Sequence, residues 1–387
     1  MNTETGSPSA PQFIDVAAIE RELNSLWKDA GKEDEHGGVT RTSVLNLLVY
    51  TDSEHATSEL DELLTEVTAA HPSRAILIAA DRKATEAGVN AQVISRCTLP
   101  TATTKQVCCE QVTINTKGKS VNEVHSAVLP LLVSDLPVYL WWRAEPLLAD
   151  RVFTRLAEMS NRVIIDSSIF ADPHGDLVSL AVLLRDRPKW TAISDLNWSR
   201  LTAWRQLIAG FYDVPEYRPA LGAANRLEIE YASPAGQPNA ISPRAALVAG
   251  WIAARLGWTL NHSKTKKSGQ SATFELMSKT QKIFIEFKPT TRTETEPGHI
   301  AKVTLKADSF AEESSDAEFT VTKSSEGTRL ETTIFIGHES RPGRVLSYKR
   351  MGEAELIGRE LEILTRDRVY EQAVLAAGDL LMAYIQA

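Results

Sequence analysis

At 387 residues the chain is long for a single core and holds enough apolar surface for two domains. With 43% hydrophobic and 24% charged residues, and no apolar run near the ~20 residues that a bilayer helix takes, it reads as a water-soluble protein with no membrane partner. A net charge of -8 argues against nucleic acid as a partner, because neutralising phosphates takes a dense basic surface.

Residues 1–12 read as a flexible polar tail, without the basic stretch and apolar core of a secretory signal. The three cysteines, Cys97, Cys108 and Cys109, are too few and too clustered for a disulfide framework, and both features point to the cytoplasm. "FIDVAAIERELNSLWKDAG" spaces its apolar residues as a helix and stops at Gly31. "RTSVLNLLVY", "SELDELLTEVTAAH" and "SRAILIAAD" follow as strand, helix and strand, the order of a parallel sheet with a crossover helix. "VNAQVISRCTLP" and "KQVCCEQVTIN" are rich in β-branched residues and read as an inserted antiparallel hairpin.

The alternation then resumes: helix "SVNEVHSAVLPLLVSD", strand "LPVYLWW", helix "DRVFTRLAEMS", strand "NRVIIDSS" and helix "DLVSLAVLLRD". "SDLNWSRLTAWRQLIAGFYD" closes it as a longer helix capped by Ser194 or Asp195. Pro215, Pro219 and Gly222 break the pattern. Beyond them come the strand "NRLEIEYAS", a helix begun by Pro243, five strands with polar turns, and one long terminal helix from "EAELIGREL" onward. The expectation is an α/β domain over 13–214, mostly parallel, and an α+β domain over 215–387 with an antiparallel sheet and a long C-terminal helix.

Phosphate-cradling glycine spacings, the nucleophile elbow and metal-ligand spacings do not occur, so no cofactor, metal or catalytic residue is assigned. Asp166, Ser167 and Ser168 would stand at the carboxyl end of a parallel strand, where open α/β sheets bind ligands. The same residues also suit loop capping. "HPSR", ending at Arg74, leaves an anion site and a solvated loop arginine both open. A hairpin turn centred between Ala102 and Thr103 sets Cys97 opposite Cys108, so Cys97, Cys108 and Cys109 are redox candidates, with buried free thiols as the alternative.

Indoles and guanidinium groups concentrate in the middle of the chain. Trp141 and Trp142 adjoin Arg143, and in an extended segment adjacent side chains point to opposite faces, so one indole needs a neighbour other than the domain core. Trp198 and Trp204 lie on one helical stripe beside Arg200 and Arg205. Tryptophan with arginine is the combination enriched in protein-interface anchors, which makes these seven residues candidate partner contacts. A stripe buried in its own domain is the competing reading.

"SDLPVYLWWR", "RVIIDSS", "SDLNWSRLTAWRQLIAGFYD" and "HPSRAILI" resemble the glucose-6-phosphate dehydrogenase assembly protein OpcA family, from about Arg41 through the C-terminal domain. The resemblance implies a non-catalytic partner that binds glucose-6-phosphate dehydrogenase, promotes its active oligomer and acts as a positive allosteric effector of the oxidative pentose phosphate pathway. Cyanobacterial relatives are associated with redox control through cysteines late in the chain, whereas here none follows Cys109. The alternative from a different class is a sugar-phosphate- or nucleotide-using enzyme with a site near Asp166 and Ser167.

Overall fold

The computed structural model describes residues 17–23, 25, 40–98, 107–144, 150–186, 191–290, 292, 295–310 and 315–387. The tail expected at 1–12 and the hairpin turn around Ala102 lie outside them. The chain forms two compact units. The first takes Met1–Ile165, Thr191–Ile193 and Gly352–Thr365; the second takes Asp166–Trp190, Ser194–Met351 and Arg366–Ala387.

The first unit is built on β1 (Thr40–Arg41), β2 (Leu45–Asp52), β3 (Ser73–Asp81), β4 (Gly88–Thr98), β5 (Val107–Lys117), β6 (Val138–Trp142), β7 (Arg162–Ile165) and β8 (Ala192–Asp195). The sheet order is β1-β5-β3-β2-β6-β7-β8, with β4 paired to β5. β1 with β5, β5 with β3, β3 with β2, β2 with β6 and β6 with β7 pair in parallel, whereas β4 and β5 form the expected antiparallel hairpin in the expected register, Cys97 opposite Cys108. The helix Ser58–Ala70 makes the crossover from β2 to β3. β2, β3 and β6 are buried almost throughout, as central parallel strands covered on both faces must be.

Sequence periodicity overstates two helices here. Residues 118–131 form a 3-10 turn, the short helix Val124–Val128 and another 3-10 turn, because Pro130 offers no N–H to continue the ladder. The long terminal helix is in fact two. Glu353–Leu361 belongs to the first unit and packs on Ser58–Ala70, while Arg368–Gln386 belongs to the second, where Asp367 caps it by accepting from the Val369 and Tyr370 N–H groups, both at 2.9 Å.

The second unit carries β9 (Arg226–Tyr231), β10 (Thr259–Ser268), β11 (Ser271–Met277), β12 (Lys282–Pro289), β13 (Ile300–Phe310), β14 (Ser315–Lys323), β15 (Arg329–Ile336), β16 (Glu339–Arg341) and β17 (Val345–Ser347). Their order is β10-β11-β12-β9-β13-β14-β15-β16, with β17 on β15, and among the described residues every pairing is antiparallel except β12 with β9. Along β9, β11 and β12 alternate residues are buried, so Leu227, Ile229, Phe274, Ile285 and Phe287 share the covered face. β10, polar and lysine-rich, shows no such alternation and escapes sequence reading.

Three helices of this unit approach closely. A Cβ on Gly250 of Pro243–Leu256 would meet the Ala373 carbonyl at 2.2 Å, and one on Gly378 would meet the Ala181 methyl at 2.4 Å. This contact is why the compact units do not divide at 214/215. The helix Pro173–Asp186, expected in the first domain, buries its apolar side against Arg368–Gln386 and so draws residues 166–190 into the second unit.

Candidate functional site

In the first unit Trp141 and Trp142 are 1% and 2% exposed. Trp142 lies flat on Tyr50 and meets the Phe153 ring edge-on at 5.0 Å. Arg143 stacks over Trp141 at 4.8 Å and reaches Glu353 at 3.3 Å. The sequence expectation that one indole needs a neighbour other than the domain core is therefore corrected: β6 is an interior strand, and both of its faces are covered within the unit.

Arg74 is buried and solvation is not its role. Its Nε donates to Glu110 Oε2 at 2.8 Å and its Nη1 to the Leu131 carbonyl at 2.8 Å, while Glu20 stands 3.1 Å from Nη1. On the neighbouring strand Cys108 is disulfide-bonded, with Cys97 opposite it in the register, and Cys109 is a buried free thiol. Burial, its largest influence, pushes the Cys109 thiol up, which leaves little of the reactive thiolate.

The second unit holds the remaining candidates. The segment expected to be one helix from Ser194 is broken: Asp195 ends β8 and caps the single turn Leu196–Ser199, and Thr202–Gly210 follows as a separate helix. Trp198 and Trp204 are each 3% exposed. The Trp198 Nε1–H donates to Asp367 at 2.9 Å, and the Arg205 guanidinium lies 3.8 Å over the Trp198 ring. These two indoles are core as well. A side chain closed within its own unit offers no surface to a partner, so of the seven candidate contacts only Arg143, Arg200 and Arg205 keep partial exposure.

Asp166, Ser167 and Ser168 do converge with other polar groups. Arg200 grips Asp166 with two parallel bonds, Nη1 to Oδ1 and Nη2 to Oδ2, both at 2.8 Å. Burial works to raise the Asp166 carboxyl, but the Arg200 bonds and the Ser168 donors outweigh it and hold the group below the usual carboxylate range. Ser167 instead turns inward. Its Oγ donates to Asp195 at 2.6 Å and accepts from Asn197 Nδ2 at 3.0 Å, and Asp195 also accepts from the Ser167 and Asn197 N–H groups at 2.9 and 2.8 Å. Burial, and then the Asp166 charge, push the Asp195 carboxyl up to about 7.

The network ends on Arg244, whose Nε donates to Asn197 Oδ1 at 2.5 Å. Sequence reading missed Asn197 and Arg244. The only local signal for Arg244 was a charged residue in the first, otherwise apolar turn after Pro243. Ser167 is fully buried, and its hydroxyl both donates to Asp195 and accepts from Asn197. Among the described residues no group of His, Cys, Asp and Glu is placed to hold a metal ion. No described helix is long and apolar enough to cross a membrane.

Comparison with known proteins places this geometry in a family. The profile described as glucose-6-phosphate dehydrogenase subunit N-terminal domain matches residues 64–182, and the corresponding C-terminal domain profile matches residues 191–374. A protein of Nostoc punctiforme named as OxPP cycle protein OpcA is 34% identical over 325 residues, which cover 65% of this chain and 68% of that one. Proteins of the same name from Synechocystis sp. and Synechococcus elongatus are 35% and 37% identical, over 50% and 44% of this chain and only 39% and 36% of theirs. Among solved structures, an NAD binding oxidoreductase from Klebsiella pneumoniae and the oxidoreductase yvaA from Bacillus subtilis are 9% and 7% identical, with TM-scores of 0.44 and 0.45. Each covers 88% of this chain and 96% of its own. With both domain profiles matched over most of its length, the chain belongs to the glucose-6-phosphate dehydrogenase assembly protein OpcA family.

Proposed function

We propose that the chain is a non-catalytic, cytoplasmic partner of glucose-6-phosphate dehydrogenase that promotes its active oligomer and acts as its positive allosteric effector in the oxidative pentose phosphate pathway. The observation that carries this reading is that both matched profiles, which reach from residue 64 to 374, are described as domains of a glucose-6-phosphate dehydrogenase subunit. The enclosed Ser167 hydroxyl, bonded to Asp195 and Asn197, is in keeping with the non-catalytic reading. With the indoles committed to the core, the partly exposed guanidinium groups of Arg143, Arg200 and Arg205 are the contacts left from the sequence reading.

An effector shifts an enzyme only by binding its competent conformation better than its idle one, and such coupling is typically about 1–3 kcal/mol. By reciprocity, substrate tightens the complex to the same degree. The test is a saturation curve of the cognate dehydrogenase with and without this chain, together with size exclusion of the mixture. Co-elution and a lowered apparent substrate requirement are expected; separate elution, or an unchanged curve at saturating chain, overturns the proposal.

A further inference from the structure

Arg244 is only 8% exposed, yet it forms no ion pair among the described residues. Its Nε is spent on Asn197, but its Nη groups meet no protein acceptor. Burying a guanidinium without a counter-charge is costly, and an internal hydrogen bond to one amide does not call for a full positive charge.

More positive charge surrounds it. The Ser242 Oγ donates to the Gly298 carbonyl at 2.5 Å, which ties the start of the helix Pro243–Leu256, and Arg244 with it, to the loop that carries His299. Glu296 bridges His299 Nε2 at 3.1 Å and Arg350 Nη1 at 3.2 Å, so Arg350 stands at the same place. Lys323 lies 5.8 Å from the centroid of Tyr348, two residues before Arg350, and forms no ion pair among the described residues. Burial first, and then the fields of Arg244, Lys323, Arg350 and Arg200, hold His299 down at about 3. Burial and the Arg200 charge likewise press Arg244 down to about 10. The cluster is crowded with like charge.

Compensation can be assigned pair by pair. Asp166 pairs with Arg200 and Glu296 with Arg350, while His299 is neutral; Arg244 and Lys323 form no ion pair among the described residues, and although Asp166 acts on Arg244 and Glu296 on Lys323 at longer range, those two carboxylates are shared among four cations. The 14-residue helix beginning at Pro243 adds its positive end, with no acidic residue in its first turn. A guanidinium fork and an ammonium, neither of them ion-paired, match one tetrahedral dianion.

We propose that Arg244 and Lys323, at the start of the helix Pro243–Leu256 and with Arg350 at the rim, bind a phosphate dianion, free or as a monoester such as a sugar phosphate. This site belongs to the isolated chain and does not depend on the partner reading. It is tested by titration calorimetry of the full chain with inorganic phosphate, glucose 6-phosphate and, as the uncharged control, glucose. Both phosphates are expected to bind and glucose not to. Tighter binding of glucose 6-phosphate assigns the ligand to monoesters and equal binding assigns it to free phosphate; both outcomes support the site. Lys323→Gln, at a partly exposed position where folding is not at stake, and Arg244→Met, checked for an intact melt, should each weaken binding by roughly tenfold or more, ~1.4 kcal/mol. Absence of binding by both phosphates, or wild-type affinity in folded Lys323→Gln, overturns the proposal.

Discussion

Tyr50 and Trp142, paired across β2 and β6, lie face to face with ring centroids 4.0 Å apart and planes 4° from parallel. The Tyr50 hydroxyl accepts from Arg82 Nε at 2.8 Å, and burial, partly countered by Arg82, pushes its pKa up to about 12. The pair joins the stacked aromatic core of the first unit to a polar edge, which is how a parallel sheet accommodates so large a side chain in its centre.

Trp142→Ala should therefore act on stability rather than on recognition. A loss of about 3–5 kcal/mol is expected from the cavity and the lost stacking, read by denaturant unfolding. A variant that melts like the wild type but no longer joins the dehydrogenase would return Trp142 to the interface.

Glu110→Gln should cost up to about 3–5 kcal/mol, because it leaves the buried Arg74 with only the partly exposed Glu20 as counter-charge. The exposed pair Arg185–Asp379, at 2.7 Å, offers the contrast: Arg185→Ala should cost less than about 1 kcal/mol, and that cost should fade with added salt. Chemical unfolding at low and high ionic strength separates the two cases.

Asp195 should give stability a pH slope of its own. Below the ordinary carboxylate pKa of about 4 the folded and unfolded chains both hold the proton. Between there and about 7 only the folded chain does, so stability falls as pH rises through that window and levels off above it. Asp195→Asn removes this contribution, and the variant should gain on the wild type by up to about 1.4 kcal/mol per pH unit across the window. Parallel melting curves that keep a constant offset from pH 4 to 7 would contradict the raised carboxyl pKa.

The cysteines make a countable prediction. Denatured without reductant, the chain should expose the single thiol of Cys109 to a maleimide probe, and after reduction all three of its cysteines should react. Three reactive thiols in the unreduced chain would mean that the strand pairing opposite Cys108 carries no bond.

Much of the fold can be read along the chain because it rests on local spacing. Alternate burial in β9, β11 and β12, the hairpin register that sets Cys97 opposite Cys108, and the helix begun by Pro243 all follow from side-chain periods and turn positions. The same spacing is silent on what covers each face. It marked Trp141, Trp142, Trp198 and Trp204 as large apolar groups, but only the strand order, which sets β6 between β2 and β7, and the meeting of Trp198 with Asp367 decided that all four are interior. Polar sites were least legible. Asp166 and Ser167 were visible at a strand end, yet their partners Arg200, Asp195 and Asn197, and beyond them Arg244, come from segments distant along the chain. Local periodicity determines which surface a segment must hide; which charge finds which counter-charge is decided only when remote segments are brought within hydrogen-bond reach.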